Sequence, residues 1–101
     1  MKAPPVPVAW LGSAWRQYQD ALEWVSQERP QAALTQDEAI TEAVARLGEY
    51  PQVGRPGRKQ GTRELVVPGT PFIVVYRIKE QQTGQVEVQV IRFLHGAQRW
   101  P

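Results

Sequence analysis

Phe72-Ile73-Val74-Val75-Tyr76-Arg77-Ile78 is a near-continuous apolar run of β-branched and aromatic residues. Such residues fit a pleated surface, and a run without polar alternation predicts a central strand covered on both faces. On its N-terminal side Pro68-Gly69 marks a tight turn, and Arg63–Val67 predicts the strand before it. On its C-terminal side Gln81–Gln85, with Gly84, predicts a second turn. Val86, Val88 and Val90 then alternate with Glu87 and Gln89, the period of a half-buried strand over Val86–Leu94. The alternation stops at Ile91-Arg92-Phe93, which predicts cover on both faces there. Three strands joined by two short turns make an antiparallel meander.

Upstream the period changes. Trp15, Tyr18, Leu22 and Val25 recur at spacings of three and four, so a helix is expected from an N-cap at Ser13 to about Glu28, with these aromatics in the core. Pro30 ends that helix and suits the first turn of another. Ala33, Ile40, Val44 and Leu47 form the buried stripe of the second helix, and Gly48 is expected just past its end with positive φ. Thr35–Glu38 could alternatively be a capping box that starts a shorter helix. Val6-Pro7-Val8-Ala9-Trp10 reads as a first strand, confined to a sheet edge because proline cannot donate to a ladder. Residues Pro51–Thr62 form a basic loop rich in Gly and Pro. The order β-α-α-β-β-β predicts an α+β domain over 1–101: two N-terminal helices packed as a hairpin on one side of a small twisted antiparallel sheet. Tyr76, Val74, Val88, Val90, Leu22, Ile40 and Val44 are the expected core.

With 101 residues there is room for one domain, and 42% hydrophobic against 22% charged residues excludes a disordered chain. The absence of Cys excludes disulfides and thiolate metal sites. No run of about 18 apolar residues predicts a membrane span. Residues 1–12 lack the long apolar core of a secretory signal, so a cytoplasmic home is expected. The net charge of +2 hides an asymmetry. Residues 13–50 hold Asp20, Glu23, Glu28, Asp37, Glu38, Glu42 and Glu49 against Arg16, Arg29 and Arg46. Residues 51–101 hold Arg55, Arg58, Lys59, Arg63, Arg77, Lys79, Arg92 and Arg99 against Glu64, Glu80 and Glu87. A basic half suggests a polyanionic target; the alternative is a solvated surface with chance clustering.

One His and no Cys leave no metal-ligand cluster, so neither metal nor cofactor is expected. Ser13 and Ser26 both fall on the first helix, which argues against a serine triad. Arginine, lysine, one histidine and aromatics can support one metal-independent reaction: RNA cleavage by its own 2′-OH. That reaction needs a proton acceptor, a proton donor, and fixed positive charge where the phosphate gains negative charge. His95, with an ordinary pKa near neutrality, follows the last strand and can move a proton. Arg63, Arg77 and Arg92 can hold the phosphate. Arg55, Arg58, Lys59 and Arg99 can bind the target electrostatically, and Trp100 can stack on a base. The bland alternatives are a backbone-bonded turn histidine for His95 and a hydrophobic lid for Trp100.

The stretch from Gly54 through Arg63-Glu64-Leu65-Val66-Val67, the Phe72–Ile78 run, and Val90-Ile91-Arg92-Phe93-Leu94-His95-Gly96-Ala97 together resemble toxins of the RelE/ParE family. The helical pattern from Pro30 to Leu47 and Tyr50-Pro51 fits as well, so the resemblance covers nearly the whole chain, with the RelE/StbE branch most similar. It implies a microbial RNase-like α+β fold and a growth-inhibiting toxin of a type II toxin–antitoxin module, neutralised by a co-encoded antitoxin. It also implies one of two targets. RelE-like members cut mRNA on the ribosome as mRNA interferases; ParE-like members inhibit DNA gyrase without catalysis. Where RelE-like members carry basic residues around the central turn, this chain reads Glu64-Leu65-Val66 and Phe72-Ile73, with Arg63, Arg77, Arg92 and His95 nearby. Ribosome-dependent mRNA cleavage is the first expectation and gyrase inhibition the alternative.

Overall fold

The computed structural model describes residues 4–96. The elements run β1 (Val8–Trp10), α1 (Gly12–Glu28), α2 (Pro30–Glu49), β2 (Arg55–Pro56), β3 (Arg63–Val66), β4 (Phe72–Glu80) and β5 (Val86–His95). The strands form one sheet in the order β1-β5-β4-β3-β2, so the apolar run lies on the central strand. β2, β3, β4 and β5 pair antiparallel, as a meander requires. β1 pairs parallel with β5, through Val8↔Val88 to Trp10↔Val90, so the sheet is mixed rather than purely antiparallel. The chain leaves β1 straight into α1 and returns only through the meander, which sets this direction.

The helices form the expected hairpin. Arg29 alone joins them: its amide caps α1 by donating to Val25 O, and its carbonyl accepts from Ala33 N in α2. Pro30 occupies the first turn of α2, where a missing N–H costs nothing. The longer reading of α2 is the right one, since Thr35 sits inside the helix and donates to Gln31 O. Two boundaries differ from expectation. Leu11, not Ser13, is the N-cap of α1, and no side chain caps it. Gly48 lies within α2 without positive φ. Its role is close approach: a Cβ there would sit 2.9 Å from Val6 O, where the N-terminal segment crosses the helix end.

The core lies between the hairpin and one sheet face. Ala14, Ile40, Ala43, Leu47, Val67, Phe72, Val74, Tyr76, Val88, Val90 and Phe93 pack together there. Fully burying each Val, Leu, Ile or Phe contributes about 1.5–3 kcal/mol. Leu22 and Val44, expected inside, are partly buried at its margin. The first-helix aromatics depart further. Tyr18 packs against the core, but Trp15 is 45% and Trp24 70% exposed. A helix lying on a sheet buries a narrow stripe, and on α1 it is Ala14 that is fully buried, with Tyr18, Ala21, Leu22 and Val25 partly buried beside it.

A register shift between Val75 and Tyr76 marks an irregularity opposite Ile91. Val88 and Val90 pair with Ile78 and Tyr76, whereas Arg92 and Phe93 pair with Val75 and Val74. Ile91 is therefore an extra residue in β5, a bulge that inverts the phase of alternation. Both Val90 and Phe93 reach the core, and Arg92 turns to the opposite face. That explains the broken alternation in the sequence. The opposite face carries its own small cluster, Ile73, Val75 and Leu94 with Ile91 at its side.

Candidate functional site

The sheet face away from the helices is read off the registers. Arg55 of β2 pairs with Glu64 of β3, Glu64 with Val75 of β4, and Val75 with Arg92 of β5. These four residues form one row across four strands, about 14 Å wide at the usual interstrand spacing. A second row, Val66, Ile73 and Leu94, lies beside it on the same face. Arg77 lies on that face as well, donating from Nε to Gln89 Oε1 at 2.8 Å. Ile73, Val75 and Leu94 are themselves buried, so the exposed part of this face is Val66 and the arginine side chains.

Glu64 is 2% exposed and is the one charged residue buried among those described. Its Oε1 accepts from Arg55 Nη2 at 3.3 Å, and its Oε2 accepts from the Arg58 amide at 3.0 Å and lies 3.3 Å from Arg58 Nε. The arginine side chains remain 57% and 38% exposed. The loop carrying them is pinned from below as well. The Tyr76 hydroxyl, wholly buried, donates to Pro51 O at 2.7 Å and accepts from Gly54 N at 2.8 Å. Burial pushes the Tyr76 hydroxyl above its ordinary pKa, with the Gly54 amide and Arg63 pulling the other way. Arg63 Nη1 donates to Gly54 O at 2.8 Å and Gln52 O at 3.3 Å. The guanidinium thereby ties loop carbonyls together.

Arg92 Nη1 reaches round the sheet edge to Ser13 Oγ at 3.1 Å and also donates to Ile91 O. Its Nε is buried without a partner among the described residues. Ser13, expected as a helix cap, instead accepts this arginine.

His95 ends β5 opposite Phe72, its ring 6.3 Å from the phenyl centroid and edge-on to it. Both residues line a groove of about 650 Å³ between the helical hairpin and the sheet end, with Trp24, Phe93, Asp20 and Glu28. His95 is on the helix side of the sheet. Along β4, Arg77 lies five positions beyond its partner Phe72, about 16 Å at the strand rise. Of the residues expected to share a site, Arg77 and Arg92 belong to the sheet face that also carries Arg55 and Arg58; Arg63 is built into the loop base; His95 lies on the other face. Lys59 lies in the turn that closes the loop, its carbonyl accepting from Thr62. Arg99 and Trp100 fall outside the described residues. From the sequence Glu64, like Glu87, is expected only as a partner for Arg77; instead it holds Arg55 and Arg58, and Arg77 donates to Gln89, because a lone Glu in a strand carries no sign of its neighbours. Among the described residues there is no group of three His, Cys, Asp or Glu side chains able to hold a metal, and no helix long and apolar enough to cross a membrane.

A helical hairpin packed on a small mixed sheet defines a class of compact α+β domains. The family model of the ParE toxin of the type II toxin–antitoxin system parDE matches residues 8–100. A Sinorhizobium fredii protein, Y4kP, named as a candidate toxin, is 35% identical over 94 residues, covering 93% of this chain and 92% of that one. The chromosomal ParDE toxin–antitoxin system from P. aeruginosa contains a chain that superposes with a TM-score of 0.76 at 25% identity, over 89% of this chain and 95% of that one. The RelBE2 toxin–antitoxin complex from Mycobacterium tuberculosis gives a TM-score of 0.61 at 25% identity, over 96% and 98%. The chain belongs to the ParE toxin family, within the RelE/ParE toxins of type II toxin–antitoxin systems.

Proposed function

We propose that the chain arrests growth in the cytoplasm by binding a protein target, DNA gyrase, through its basic loop and the arginine-bearing side of its sheet, without cleaving RNA. The observation that carries this reading is the division of the expected catalytic set. Cleavage at a phosphate needs the proton-transfer group within hydrogen-bond reach of the reacting oxygen and the guanidinium groups on the same phosphate. His95 and the Arg77–Arg92 pair lie on opposite faces of the sheet. Exposed Val66, two positions from Glu64 on β3, together with the Arg55 and Arg58 side chains, has instead the composition of a protein-binding surface, where arginine is enriched. The same face is the seat proposed for the antitoxin, an amphipathic helix or extended segment with acidic residues that masks the arginines in growing cells.

Induced expression followed by gyrase supercoiling assays and mRNA 5′-end mapping tests the reading. Loss of supercoiling activity with intact mRNA is expected, and folded His95→Ala keeps its toxicity. Rapid mRNA loss with codon-phased ends, and a harmless but folded His95→Ala, would overturn it in favour of ribosome-dependent mRNA cleavage.

A further inference from the structure

We infer that Glu64 is a positioning residue: its buried carboxylate sets Arg55 and Arg58 as a fixed pair that reads acidic side chains on the target. The inference rests on the proposed role of the basic loop as a target-binding surface. An exposed ion pair holds little geometry, because two long side chains lose entropy and water screens them. Here one partner is 2% exposed and supplied by a rigid strand, and it engages the main chain and side chain of Arg58 as well as Arg55. A carboxylate held this way keeps its bonds, since releasing it leaves a buried charge unpaired. The arginine side chains keep 57% and 38% of their surface exposed while Glu64 holds them, so both reach solvent from a fixed base. Tyr76 fixes the same loop through Pro51 and Gly54, and Arg63 through Gln52 and Gly54. Gly54 admits the tyrosine only because it lacks a side chain, a Cβ there falling 2.6 Å from the hydroxyl. Three side chains from two strands thus order the segment before any target arrives, which lowers the entropy lost on binding.

The alternative is that the loop works by charge alone, and the two ideas predict opposite signs. Glu64→Gln removes the negative charge beside the arginines. If charge alone matters, an acidic target binds the variant more tightly. If Glu64 positions the arginines, affinity falls by roughly tenfold, within the range of coupling between contacting residues. Glu64→Asp keeps the charge and shortens the reach, and Tyr76→Phe changes no charge and removes only the hydroxyl; both weaken binding in the same direction. The measurement is the affinity of each folded variant for purified gyrase, with folding checked by circular dichroism. If Glu64→Gln does not fold, Glu64→Asp and Tyr76→Phe carry the test. Arg58→Ala separates the two levels of the argument. Should it bind gyrase as the parent does, the loop is not the target surface, and both the reading and the inference fall. Should Arg58→Ala bind weakly while the Glu64 and Tyr76 variants bind as well as or better than the parent, only the positioning role is overturned.

Discussion

Tyr18 shows how one side chain joins layers that the sequence lists far apart. Its ring packs against Trp10, Trp15 and Phe93, and its hydroxyl donates to Asp37 on α2. Burial first, then the bond to Asp37 and the charge of that carboxylate, push the hydroxyl up to about 12 from its usual 10, against a smaller pull from Thr41. The unfolded chain releases this proton near 10 and the folded chain near 12, so the contribution is whole below pH 10 and lost as pH rises from 10 to 12. Urea titrations at pH 8 and pH 11 are therefore expected to show a loss of stability that Tyr18→Phe reduces, the remainder resting with Tyr76, whose hydroxyl burial also raises. An equal loss in that variant would place the effect on other groups. Gly54 makes a second case. Because a Cβ meets the Tyr76 hydroxyl and ring, Gly54→Ala is expected to cost about 1–3 kcal/mol, the usual penalty of overpacking, read as a lower denaturation midpoint at unchanged slope. Neither contact was legible in the sequence: Tyr18 and Asp37 are nineteen positions apart, and nothing local ties Gly54 to Tyr76.

At the scale of elements, β5 is the informative case. The valines at 86, 88 and 90 announced a strand, and Phe72–Ile78 announced its central neighbour, because period and composition are local properties. The two turns were legible for the same reason, since Gly69 and Gly84 both have positive φ. Ile91 was legible only as a break in pattern. Its consequence, the inversion of faces, depends on the partner strand. Deleting Ile91 is expected to remove the bulge while leaving Arg92 opposite Val75 and Phe93 opposite Val74, each on its present face. The deletion variant should therefore still unfold cooperatively by circular dichroism, as should Ile91→Val. A deletion variant that does not fold would show that Ile91 does more than set the spacing of β5. The parallel direction of β1 and the two-residue β2 were not legible, because three residues and two residues carry no period.

The whole molecule separates charge by layer. The acidic residues of positions 13–50 ride on the helices, and the arginines of positions 51–96 gather on the sheet and its loop. This asymmetry was visible in the sequence, but which arginines act together was not. That depended on the face each one takes, which the bulge at Ile91 decides for Arg92 and the loop base decides for Arg63. Long-range attraction from such a face accelerates encounter with an acidic partner and changes dissociation little, since the field acts before short-range contacts form. Association of the antitoxin should therefore slow as salt rises. The Debye length shortens from about 10 Å at 0.1 M to about 3 Å at 1 M, which is less than the width of the arginine row. A fall in association rate of roughly tenfold across that range is expected, with the dissociation rate nearly constant. Replacing Arg55, Arg77 and Arg92 together by Glu should lower the low-salt rate and flatten its salt dependence. Rapid-mixing measurements at four or five ionic strengths check this. A salt-insensitive rate for the parent, or a triple variant with an unchanged slope, would show that the antitoxin approaches from the acidic helical side instead.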